Sequence, residues 1–209
     1  MATRKEREML QRKMEIVDAA QKLFIQKEYE NVTMAEIARE AEFTRRTIYS
    51  YFKSKIDLVV EVFLKVFAKG DVKFEEAIEN AQNDYDKLFA FGKAYYQFFK
   101  GDPAYYKLLH YFDLAVNNEA HKLSPTVLED INSSNINIEI RIEQVIQDGM
   151  SQGHFRDDLN VKLAVTFFLK SLYGIIHQYI LHPKFPDEYF YEELRYLLRA
   201  FENREMSSA

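Results

Sequence analysis

The sequence predicts an all-α fold, and three observations carry that reading. Glycine occurs 6 times and proline 4 times in 209 residues, against usual levels near ~7% and ~5%. Tight turns consume both residues, so their scarcity favours long helices with few connections. Neither appears before Gly70. Apolar residues recur at spacings of three and four along most of the chain, the period of a helix with a buried face.

The elements follow in order. Ile16, Val17, Ala20, Leu23 and Phe24 make one stripe and predict a first helix over about 6–27. Tyr29 to Val32 is a short connection. Thr33-Met-Ala-Glu36 is a capping box, in which the Thr hydroxyl accepts from the N3 amide and the Glu reaches back. It opens a second helix over about 34–41. Glu42-Phe43 makes a turn, Thr44 caps a third helix, and Ile48 and Phe52 face inward. Ser54-Lys-Ile-Asp57 is a second capping box and opens a fourth helix that reaches about Asn80, with Gly70 its weak point. Further helices are expected over about 84–100, 103–117, 125–152, 160–182 and 186–203, about nine in all. Ile136, Ile138, Ile140 and Ile142 alternate as in a strand, but no hairpin partner flanks them; a helix with apolar residues on two sides is the choice made.

Net charge is −5, yet its distribution is uneven. Residues 1–55 hold 12 Lys and Arg against 9 Asp and Glu, while 56–209 hold 16 against 24. Residues 44–55 carry Arg45, Arg46, Lys53 and Lys55 and no acid. A small basic head on an acidic body points to a polyanion partner at one end. The third helix reads Arg-Arg-Thr-Ile-Tyr-Ser-Tyr, polar everywhere except Ile48. A core helix would not carry six such residues in seven positions, whereas one entering a major groove about 12 Å wide needs hydrogen-bonding side chains facing outward.

Ile16-Val-Asp-Ala-Ala-Gln-Lys-Leu-Phe24, Thr33-Met-Ala-Glu-Ile-Ala38 and Thr47-Ile-Tyr-Ser-Tyr-Phe-Lys-Ser-Lys-Ile-Asp-Leu58 resemble the DNA-binding domain of TetR-family transcriptional regulators over about residues 10–60. The resemblance implies an all-helical homodimer with a helix-turn-helix DNA-binding domain at 1–54 and a ligand-binding and dimerisation domain at 55–209. It implies that Thr33 and Thr44 cap helices and donate to phosphate, and that Arg45, Arg46 and Thr47 meet base edges. Tyr49, Ser50 and Tyr51 then contact phosphate or thymine methyl groups, Lys53 contacts the DNA, and Lys55 anchors a phosphate at a helix N-terminus. The chain departs from the family pattern at Glu28 and Glu42, where the family often has Gly, and near Arg46. A left-handed backbone at a non-Gly residue costs roughly 1–2 kcal/mol. Arg4, Lys5 and Arg7 read as a tail ahead of this domain.

The eighth helix is apolar nearly all round: Phe167, Phe168, Leu172, Tyr173, Ile175, Ile176 and Tyr179. Such a helix must be covered on every side. With Leu194, Leu197, Leu198 and Phe201 it predicts a homodimer through about 160–182 and 186–203, which gives two recognition helices for two half-sites on double-stranded operator DNA. Aromatic residues crowd 85–112. Aromatic walls with a few polar groups describe a ligand pocket; the candidates are Tyr95, Phe99, Tyr106, Tyr111, Phe112, Asn135, Glu139, Glu143, Phe168, Ser171 and His177. The expected function is ligand-responsive DNA binding, with a repressor released by a small, largely apolar or aromatic effector. The alternatives are an activator, or a ligand-independent DNA-binding protein of the same fold.

Other classes fit poorly. Cysteine is absent, which removes disulfides, thiolate metal sites and Cys nucleophiles. The five His residues show no metal-ligand spacing, and there is no phosphate loop or nucleophile elbow, so no enzyme, metal or cofactor is expected. The N-terminus has no apolar stretch of a signal peptide. Lys162, Lys170, His177 and Gln178 would each be costly in lipid, so residues 161–181 read as a helix buried in protein. A cytoplasmic location follows as the expectation.

Overall fold

In a computed structural model, backbone is described for residues 3–203, without the side chains of residues 115–117, 119, 120 and 132–137. Thr3 opens α1 (Arg4–Gln26) with a full capping box to Glu6, so Arg4, Lys5 and Arg7 are helical instead of a tail. A 3₁₀ turn at Tyr29–Asn31 leads to α2 (Met34–Glu40) and α3 (Arg45–Tyr51). Then come α4 (Lys55–Glu79), α5 (Asp84–Gly101), α6 (Pro103–Glu119), a second 3₁₀ turn, α7 (Pro125–Ser151), α8 (Val161–Leu181) and α9 (Asp187–Leu198). The architecture is all-α among the described residues. The alternating isoleucines lie within α7, where Ile138 and Ile142 are buried and Ile140 is exposed.

Gly70 does not break α4. The ring of Phe74 lies where its Cβ would be, 2.5 Å away. Glycine there lets an aromatic ring seat against the helix one turn back, a packing reason that sequence alone presents as a flaw. The end of α9 also differs from expectation, since the helix stops at Leu198 and not near Asn203. Arg156 N–H donates to the Phe201 carbonyl at 3.0 Å and Asn203 N–H to the His154 carbonyl at 3.1 Å. Arg199, Ala200 and Phe201 still bond locally to Arg195, Leu197 and Leu198, and the two bonds to the segment at 154–156 take the chain off the helical path around Glu202.

The chain divides into two units. The first comprises Met1–Phe67 with Ala104–Ser133, so α6 and the start of α7 join the first three helices and the N-terminal half of α4. Its core includes Ile16, Ala20, Phe24, Ile37, Ile48, Phe52, Val59 and Leu108, each nearly or fully buried. Phe63 stacks on Phe112 with centroids 4.2 Å apart. The second unit comprises Ala68–Pro103 with Ser134–Ala209. Within it α8 packs on α9 and both pack on α5. Phe91, Tyr96, Phe99, Phe168, Ile176, Phe190 and Leu194 fill the interior, and Tyr96 stacks on Phe190 at 3.9 Å.

The eighth helix sorts its apolar residues onto two faces. Ala164, Val165, Phe168, Leu172, Ile176 and Tyr179 are buried within the unit. Leu163 (68% exposed), Phe167 (50%) and Leu181 (56%) lie outside with Lys170, Gly174 and Gln178, at spacings of three and four. Leu194, Leu197, Leu198 and Phe201 are buried in the unit's own core; Tyr189 and Tyr196 are the large exposed residues of α9.

The turn between α2 and α3 carries a local strain. Glu42 has φ 57°. Its N–H bonds to the Arg39 carbonyl at 3.2 Å, and Phe43 N–H to the Ala38 carbonyl at 2.9 Å. This is a Schellman motif, whose left-handed position glycine usually fills. A non-Gly residue there costs roughly 1–2 kcal/mol, partly offset by the extra freedom glycine has when unfolded. Glu42→Gly is therefore expected to stabilise the protein by about 1 kcal/mol, raising Tm by a few degrees. Calorimetry showing a lower Tm would mean that the turn is not strained.

Candidate nucleic-acid interface

The interface is assembled from the ends of short helices. Thr33 Oγ1 accepts from Glu36 N–H at 3.2 Å, and Glu36 Oε2 accepts from Thr33 N–H at 3.1 Å. Lys27 Nζ meets the other Glu36 oxygen at 2.7 Å. Hydrogen bonds from Lys27 and Thr33 hold the Glu36 carboxyl down at about 2, so this cap stays charged at any ordinary pH. Thr44 caps α3 by accepting from Thr47 N–H at 3.1 Å, and the two hydroxyls share a 2.9 Å bond. Ser50 donates its hydroxyl to the Thr47 carbonyl at 2.6 Å.

Within α3 only Ile48 is buried. Arg45, Arg46, Tyr49 and Ser50 are exposed, with Thr33, Thr44 and Lys53; Thr47 and Tyr51 are half-buried. The helix thus presents almost its whole surface outward.

Two residues at the start of α4 have unexpected roles. Lys55 is half-buried. Its ammonium donates to the Tyr29 carbonyl at 2.6 Å and lies 3.9 Å from the Tyr29 ring centroid. It braces the connection ahead of α2. Asp57 is fully buried. One carboxylate oxygen accepts from Lys53 N–H at 3.0 Å and the other from Ser124 N–H at 2.9 Å, while its own N–H donates to Ser54 Oγ at 3.2 Å. Half of the expected capping box forms, but the carboxylate reaches one residue further back and also ties in the chain ahead of α7. Sequence spacing showed the cap; the bond to Ser124, 67 residues away, left no signal in the sequence.

The expected effector residues fall into two groups. In the first unit Tyr106 is buried, Phe112 is half-buried against Phe63, and Tyr111 spends its hydroxyl on Glu28 and Tyr29. In the second, Tyr95 packs against Phe74, Phe91 and Phe99 at 5.3, 5.6 and 4.9 Å, and burial pushes its phenol above the usual range. Phe99 and Phe168 are fully buried; Ser171 and His177 are half-buried on α8. Glu143 is half-buried and accepts from Gln147 at 3.3 Å, while Glu139 is exposed. Asn135 lies outside the described side chains. A cleft of about 850 Å³ opens elsewhere in this unit, bounded by Arg156, Asn160, Leu163, Phe167, Arg199 and Asn203; none of the expected effector residues lines it.

Among the described residues no His, Cys, Asp and Glu cluster could hold a metal ion, and no helix is long and apolar enough to cross a membrane.

The family described as bacterial regulatory proteins, tetR family, matches residues 16–62, which span α1 from its first buried residue, α2, α3 and the start of α4. The fatty acid metabolism regulator protein of Bacillus subtilis is 22% identical over 162 residues, 72% of this chain and 74% of that protein. A TetR family transcriptional regulator from Marinobacter aquaeolei VT8 has a similar fold, with a TM-score of 0.67, 15% identity and coverage of 95% of this chain and 99% of that one. The transcriptional regulator FadR of Bacillus subtilis, solved in complex with stearoyl-CoA, gives a TM-score of 0.63 at 20% identity, covering 89% of this chain and 95% of that one. The helix-turn-helix at residues 16–62 thus matches the DNA-binding region of TetR-family transcriptional regulators, and the all-helical body has the fold of solved members of that family.

Proposed function

We propose that this regulator is a dimeric repressor, released from its operator by an effector with a long apolar part, and that it works in the cytoplasm. The observation that carries the DNA side is α3, which buries one residue of seven and points Arg45, Arg46, Tyr49 and Ser50 outward. Arg45 and Arg46 sit at its N-terminal end, where a recognition helix meets base edges, and Arg to guanine O6 and N7 is the commonest specific contact. Thr47 is the third base-reading candidate. Thr33, Thr44 and Lys53, all exposed, are the phosphate candidates, with Tyr51 and Lys55 as supports. We place the DNA-reading domain at 1–54 and the effector and dimer functions in 55–209.

The aromatic interior around Tyr95, Phe99 and Phe168, with Ser171 and His177 nearby on α8, favours an apolar effector. FadR's complex with stearoyl-CoA supports a long-chain acyl thioester as the first candidate. The outer stripe of α8 favours dimerisation, since an exposed apolar face rimmed by polar residues is a docking surface. Helix α4 runs from the DNA-reading domain into the second unit, and movement along it would change the separation of two recognition helices.

DNA binding is the direct test. With 3–5 phosphate contacts per subunit, affinity falls by ~10³–10⁵ between 50 and 200 mM salt. Arg45→Ala costs ~1–3 kcal/mol on a selected duplex and little on random DNA, whereas Lys53→Ala weakens both and flattens the slope. A salt-independent response in fluorescence anisotropy contradicts the reading.

The dimer is tested by Phe167→Asp, on a half-exposed ring whose contact with the core is at Phe201, with Leu163→Asp, 68% exposed, as the control that the loss is not one of folding. Sedimentation should show a helical monomer that has lost its selected site; an intact dimer places the interface elsewhere. The effector is tested by reciprocity. If stearoyl-CoA lowers operator affinity 5–150-fold, equivalent to ~1–3 kcal/mol, the operator must lower stearoyl-CoA affinity by the same factor. Stearoyl-CoA affinity unchanged at saturating operator would show that the two sites are uncoupled.

A further inference from the structure

We propose that Tyr111 is a positioning residue for the helix-turn-helix, acting through the connection between α1 and α2. The inference rests on the DNA-binding reading. Tyr111 lies on α6 and is 6% exposed. Its hydroxyl donates to Glu28 Oε2 at 2.6 Å and accepts from Tyr29 N–H at 3.1 Å. One turn earlier, Lys107 Nζ bonds to Glu28 Oε1 at 3.0 Å and to the Lys27 carbonyl at 3.1 Å. On the other side Lys55 holds the Tyr29 carbonyl. Three consecutive residues, Lys27 to Tyr29, are thus clamped between α6 and the start of α4. Four residues further on, Thr33 caps α2.

The chemistry of the clamp distinguishes its members. Glu28 and Lys107 form a partly exposed ion pair, the kind that contributes little alone. The phenol of Tyr111 is buried, and its bond to a carboxylate is charge-assisted. Burial and the Glu28 bond both push that phenol above its ordinary range, so it remains a donor at any physiological pH. A residue without a side-chain oxygen at position 28 would offer the phenol no acceptor there. A shift of α6 would pull on the connection that leads into α2.

The test is Tyr111→Phe in the full chain, which removes one oxygen and keeps the ring. Operator affinity should fall 5–50-fold, while helicity, non-specific DNA binding and its salt slope, and stearoyl-CoA affinity stay within twofold of wild type. Glu28→Ala, which removes the acceptor of the phenol, should weaken operator binding too, and the double variant should lose less than the sum of the two single losses, because the Tyr111–Glu28 bond is common to both. Hydrogen exchange gives a readout without DNA: the Tyr29 amide should exchange at least tenfold faster in Tyr111→Phe, with α8 unchanged. Additive losses, or a Tyr29 amide that exchanges at the wild-type rate, would overturn the proposal. Lost stearoyl-CoA affinity with operator affinity intact would make Tyr111 an effector contact instead. A wild-type protein that binds no duplex would remove the DNA role while the exchange result still reports whether the link exists.

Discussion

A recognition helix of seven residues that buries only Ile48 cannot orient itself. One buried isoleucine contributes a few kcal/mol of transfer free energy and fixes depth, but rotation about that point stays cheap. Direction must come from the helix ends. Thr44 pins the first turn, the Schellman turn at Glu42 sets the approach from α2, and buried Phe52 with the Lys53–Asp57 bond fixes the exit. Each of these is a backbone amide held by a side chain or a carbonyl. The exposed face can then carry arginines and tyrosines chosen for a partner, because none of them is needed to hold the helix.

The same logic explains why so much polar structure collects at 27–57. Lys55, Glu36, Asp57 and the Glu28 region all bind backbone or caps. A net-positive head needs cations to meet phosphates, yet exposed Lys27 pairs with Glu36 and half-buried Lys55 holds the Tyr29 carbonyl. Arg45, Arg46 and Lys53 are exposed and, in the proposed reading, are the ones that meet the partner. Bracing of backbone by side chains suits a region in which α2 and α3 bury only Ile37, Ala38 and Ile48.

Much of the fold was legible in the sequence because helix ends are marked by chemistry with a short range. Thr33, Thr44 and Asn160 cap where their spacing says they should, and Pro103 and Pro125 open helices. What was not legible depends on partners far along the chain. Gly70 looked like a weak point until Phe74 was seen against it. The sequence continues α9 to about residue 203, but after a short turn at 199–201 the Phe201 carbonyl and the Asn203 amide bond to the segment at 154–156. Ile176 and Phe167 are equally apolar on paper, and only packing separates the core from the outer face. At the site, outward residues of α3 were readable from their polarity, whereas the inward turn of Lys55 and the second bond of Asp57 were not. The aromatic run 85–112 suggests one pocket wall, but its members divide between two units.

The central claim is that capped ends present α3 outward so that two copies read one face of a duplex. Hydroxyl-radical footprinting of the full chain on a selected duplex tests it most directly. The account predicts two protected patches on one face of the DNA, about 34–36 Å or a whole number of helical turns apart. A single continuous protected stretch on all faces, or no protection at saturating protein, would contradict it.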